Sequence, residues 1–96
     1  MIKEQTSKET FSKAYDLVRS GKYIEAEPLL CKLLDRHPDH PDVLHLMGLV
    51  FLETYRLDDS VHAFKSAVEN CPDQARYHYH YGLSLIRKND IDNAIS

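Results

Sequence analysis

Residues 41–73 read PDVLHLMGLVFLETYRLDDSVHAFKSAVENCPD. Within this stretch Leu44, Met47, Gly48 and Phe51 recur at helical spacing, followed by Ser60, Phe64 and Ala67, and Pro72 closes the unit. Two amphipathic helices joined by a tight turn satisfy that pattern. Displaced by 34 residues, the skeleton returns on both sides. Ala14, Gly48 and Gly82 come into register, as do Leu17, Phe51 and Leu85, and Ala26, Ser60 and Ala94. Tyr23 aligns with Leu57 and Ile91, Leu30 with Phe64, Leu33 with Ala67, and Pro38 with Pro72.

The period and these residues resemble the tetratricopeptide repeat, over roughly residues 7 to 96. The resemblance implies an all-α array (an α-solenoid) of antiparallel helix pairs, about two and a half repeats in a right-handed superhelix. The whole chain, 1–96, reads as one such domain, with repeats at about 7–40, 41–74 and an incomplete 75–96. Small residues at 14, 48 and 82 mark where each first helix approaches its hairpin partner. Each pair leaves an apolar side open for the next pair to cover.

Along the chain, Thr6 with Glu9 reads as a capping box, so helix one starts near Ser7 and Gly21 ends it. Helix two covers about Lys22 to Arg36 with Pro28 inside. Pro28 cannot donate to the carbonyl of Ile24, and two readings compete: a start moved to Pro28, or a continuous helix bent there. The repeat register favours the bend. Pro41 suits the first turn of helix three, which runs to about Tyr55. Helix four spans about Leu57 to Asn70 and helix five about Gln74 to Lys88. Asn89-Asp90 is expected to turn the chain into a short sixth helix from Ile91.

Composition narrows the function. The chain has 96 residues, 43% hydrophobic and 28% charged, with a net charge of −3. No Lys/Arg run offers a stripe for phosphates, so nucleic acid is not an expected partner. The polar start, MIKEQTSKET, has no apolar core of a signal peptide, and no window reaches the roughly 20 apolar residues of a membrane span. Cys31 and Cys71 fit no zinc or redox spacing and are expected as reduced, mostly buried thiols. These features together predict a cytoplasmic protein that does not engage membranes.

No motif supports catalysis or a cofactor. There is no GxSxG and no phosphate-binding glycine loop, and the glycines are accounted for by the repeat. Six histidines raise the question of a metal, but His40 and His45 are wrongly spaced for one helical face. His78 and His80 point to different sides, and no HExxH is present. Solvated or groove-lining imidazoles, with no metal, are the expectation.

The resemblance places partner binding on the concave face formed by the first helix of each pair. Its tiers here are Lys8, Asp42 and Arg76, then Phe11, His45 and Tyr79, then Tyr15, Leu49 and Leu83. Val18, Leu52 and Ile86 follow, with Arg19, Glu53 and Arg87 at the far edge. An aromatic and aliphatic centre with charged rims suits an extended or helical peptide bearing apolar anchors. The competing reading makes Phe11 and the aliphatic positions inter-repeat core, leaving Tyr15, His45 and Tyr79 to the groove. A carboxylate clamp of the chaperone-binding type would need Lys, Asn and Arg at Phe11, Tyr15, Leu46, Arg76 and His80. Only Arg76 keeps the charge.

The chain thus reads as a non-enzymatic scaffold for a protein or peptide partner. The rival reading is the N-terminal array of a longer enzyme, of glycosyltransferase or sulfotransferase type, presenting substrate to a separate catalytic domain. Helix five carries Tyr77, Tyr81, Leu85 and Ile86, with only Ile91, Ala94 and Ile95 left to cover them. That shortage predicts self-association, as a two-fold dimer in which the C-terminal ends meet or exchange.

Overall fold

A computed structural model of the chain describes residues 6–95. They form five helices: α1 (Ser7–Arg19), α2 (Tyr23–Arg36), α3 (Pro41–Glu53), α4 (Leu57–Asn70) and α5 (Ala75–Ile95). The array is all-α, with α1/α2 and α3/α4 as consecutive hairpins and α5 packed against α4. Its first helix begins where a side chain can satisfy an otherwise unpaired donor: the Glu9 N–H donates to Thr6 Oγ1 at 3.2 Å.

The two hairpin turns share one geometry. Gly21 has φ +77° and Tyr55 has φ +62°, so residues one repeat apart both occupy the left-handed region. Lys22 N donates to the Leu17 carbonyl and Arg56 N to the Phe51 carbonyl, each at 2.8 Å, closing both helices alike. A tyrosine is strained where the first repeat has glycine. The turn persists because the flanking helices fix it.

The α3/α4 pair holds the tightest approach. A β-carbon on Gly48 would lie 2.5 Å from Cε1 of Phe64, so only glycine lets that ring lie across α3. Ala14, Ala26, Leu30, Val43, Met47 and Val50 build the first core cluster, and Leu52, Leu57 and Phe64 build the second. α2 runs unbroken through Pro28, so the alternative start at that residue is not taken.

Three expectations are corrected. The first concerns Asn89-Asp90, where the chain does not turn and, among the described residues, no sixth helix forms; α5 continues to Ile95. Asn89 stands one repeat after Tyr55, but here the helix runs through the position instead of turning. Continuing the helix keeps every backbone hydrogen bond without closing a turn. The second concerns Tyr77, which is only 1% exposed and packs on Leu44 and Ala67. Tyr81 packs beside Leu52, Leu57 and Phe64. Both rings face the preceding pair, so neither belongs to the open side. The third concerns Cys31, which is exposed while Cys71 is half-buried; both thiols are free.

Candidate functional site: the α1–α3–α5 cleft

Three first helices line one side of the array. Phe11, Tyr15, Val18 and Arg19 of α1, His45, Leu46 and Leu49 of α3, and the outer residues Asp42 and Arg76 enclose a cleft of about 290 Å³. Phe11 and Tyr15 stack at 6.4 Å, and the Arg19 guanidinium lies 5.7 Å from the Tyr15 ring centre. Tyr15 remains 40% exposed, which leaves an aromatic edge toward solvent. A second recess of about 360 Å³ adjoins it, bounded by Lys8, Phe11, His37, His40 and Asp42.

Of the ten expected binding positions, Phe11, Tyr15, Asp42, His45, Leu49 and Arg76 meet in the first cleft. Lys8 lines the adjoining recess. His80 reaches the floor from α5, and Leu83 packs beside the Leu52, Leu57 and Phe64 cluster. Tyr79 stands apart at 66% exposure, outside the cleft.

The charged rims bind one another across the repeat. Arg76 Nη2 donates to Asp42 Oδ1 at 3.0 Å, and Arg87 lies 3.8 Å from Glu53; each pair is one period apart. Tyr77 also donates its hydroxyl to Asp42. Burial and that hydrogen bond push the Tyr77 phenol up to about 12. On the opposite side Arg56 forks onto Glu27, donating Nη1 to Oε2 at 3.0 Å and Nη2 to Oε1. The guanidinium holds the Glu27 carboxyl below its usual range, against a smaller opposing effect of burial.

Beneath the cleft lies a pair that spacing within single helices does not show. His45 Nε2 and His80 Nδ1 are 3.0 Å apart. His80 Nδ1 is also 3.0 Å from the Arg76 carbonyl. A carbonyl only accepts, so these contacts assign the Nδ1 proton to His80 and make His45 Nε2 the acceptor. His45 is 7% exposed, enclosed by Phe64, Tyr77 and His80 at ring separations of 4.8–5.6 Å. Burial above all, with the nearby His80 and Arg76, lowers its pKa to about 4. Read along one helix the two histidines look unrelated; their 35-residue separation is one repeat plus one residue. Among the described residues no group of three or more His, Cys, Asp or Glu could hold a metal ion. None of the helices is long and apolar enough to cross a membrane.

The family model for Psidin, N-terminal TPR repeats region, matches residues 3–95. The chain belongs to this family. Two solved structures share the tetratricopeptide fold of the chain: MamA 41-end from Desulfovibrio magneticus RS-1 and the MamA RS-1 ArsTM double mutant. Each superposes with a TM-score of 0.84 at 25% identity, over 95% of this chain and 51% of the other. The chain therefore spans about half the length of the solved structures it matches. No curated protein matches it. A tetratricopeptide array stacks its helix pairs into an extended concave surface of the kind that serves as a protein-interaction scaffold.

Proposed function

We propose that the cleft between α1 and α3 binds a peptide segment of a partner protein. The observation that carries this reading is the convergence of Phe11, Tyr15 and Leu49 on one open cleft, with Arg19 and Asp42 at its edges. An apolar partner side chain inserts beside Tyr15, where rigid aromatic surface is gained at little entropic cost. Arg76 is already engaged by Asp42, so a partner acid is met by Arg19 and by Lys8 in the adjoining recess. His45 supports the floor from below and makes its polar contact with His80.

Selection of a displayed random-peptide library on the folded chain, followed by calorimetry, tests the reading. Selected peptides should lose at least about tenfold in affinity with Tyr15→Glu and with Arg19→Glu. Peptides that bind both variants as tightly as the parent chain would place the site elsewhere.

A further inference from the structure

The recess beside the cleft holds an uncompensated positive charge in a chain of net charge −3. Ser7 and Lys8 of α1 line it together with His37 and His40, which belong to the connector between α2 and α3. Its one acidic residue is Asp42, and that carboxylate is already taken. It accepts from Arg76 at 3.0 Å and from the Tyr77 hydroxyl. Lys8 has no such partner, for among the described residues it makes no ion pair. His37 Nε2 lies 3.2 Å from Ser7 Oγ, and the His37 and His40 rings meet edge to face at 6.4 Å, so the connector is held against the start of α1. An ammonium has donors only, and an imidazole keeps at least one N–H in either protonation state. The chemistry that answers such a wall is a carboxylate.

The recess and the cleft are neighbours with a thin partition. Phe11 and Asp42 line both. The Phe11 ring is 6.4 Å from Tyr15, in the cleft, and 6.2 Å from His40, in the recess. Alternate side chains of an extended segment project to one side about 7 Å apart. Residues two positions apart on such a segment therefore straddle this ring. Both hairpins that flank the recess are complete, so it is a seam between repeats and not the open end of the array.

From this we infer that the partner segment is extended and bipartite. An apolar residue enters the cleft beside Tyr15, and two positions away an aspartate or glutamate places its side-chain carboxylate in the recess, against Lys8 and the imidazoles of His37 and His40. The inference rests on peptide binding at the α1–α3 cleft and gives that peptide its chemistry. It needs no terminal carboxylate, and Lys8, His37 and His40 lie outside the five positions of the chaperone-type clamp.

The probe is a library of nine-residue peptides, acetylated and amidated at their ends, with phenylalanine fixed at the centre and every other position randomised. Binders selected on the intact chain should be enriched in aspartate or glutamate two residues from the phenylalanine, on one side of it. Exchanging that acid for its amide in the best binder should weaken binding at least about fivefold. The difference between acid and amide should vanish on Lys8→Gln, an exposed position whose thermal midpoint should not move. Tyr15→Glu separates the two readings. Binders that depend on Tyr15 but show no acid preference would overturn the bipartite segment and leave the cleft reading standing; a lack of any Tyr15-dependent binder would overturn both. An acid–amide difference that persists in Lys8→Gln would also overturn the inference. So would a dimer in light scattering that Lys8→Gln dissolves, because the occupant would then be a second copy of the chain.

Discussion

Gly48 and Phe64 are bound to one another by space: the phenyl ring occupies the volume that any β-carbon at position 48 would need, at 2.5 Å from Cε1. Gly82 stands in the same register with nothing within 4 Å. Two glycines of one pattern therefore answer to different constraints, and mutation separates them.

Gly48→Leu should overpack the α3/α4 hairpin and lower stability by about 1–3 kcal/mol or more. Gly82→Ala should raise stability by up to about 1 kcal/mol, because it improves helix propensity without a clash. Thermal unfolding of the two variants decides, and equal midpoints would refute the difference.

Tyr55 carries φ +62° on an 81% exposed side chain, so its conformation costs more than its packing returns. Tyr55→Gly should hold or increase stability, by up to about 1 kcal/mol, while Tyr55→Val should lose at least as much. Urea midpoints at constant slope are the measurement.

Pro28 lies inside α2 and leaves the Ile24 carbonyl without its helical donor. Pro28→Ala restores that donor on an exposed position and should raise the thermal midpoint. A lowered midpoint would show that proline's restriction of the unfolded chain outweighs the recovered hydrogen bond.

His45 gives the fold an acid dependence. Its folded pKa of about 4 lies below the ordinary 6.5, so the unfolded chain binds the extra proton more readily. The contribution is fully present above pH 6.5 and is lost as pH falls from there toward 4. The loss is on the order of 3 kcal/mol. Protonating His45 at Nε2 would also set it against the Nδ1 proton of His80 and break the contact between the two rings. His45→Phe should flatten the stability–pH curve in this window, read by urea unfolding at a series of pH values.

The sequence alone determined the first four helices and their pairing, because both are written in local periodicity. The 34-residue register located α1 to α4 within two residues at their ends, and it picked out Gly48 as a close approach. It also put Phe11, Tyr15 and Leu49 on one side of the array, where they line a common cleft, since residues one repeat apart must line up when repeats stack. What it could not decide were choices made between distant side chains. Asn89-Asp90 reads like a turn, yet α5 continues through it to Ile95, because a turn at a repeat position is fixed by the helix that packs back on it and not by the turn residues alone. His45 reads like an open groove residue; it does line the cleft, but α5 and Phe64 close over most of its ring and pair it with His80. Tyr79, in the same register, stays open because no helix follows to cover it in the array described. Burial at a repeat position depends on the neighbouring helix as much as on the residue itself, and only the tertiary structure supplies the neighbour.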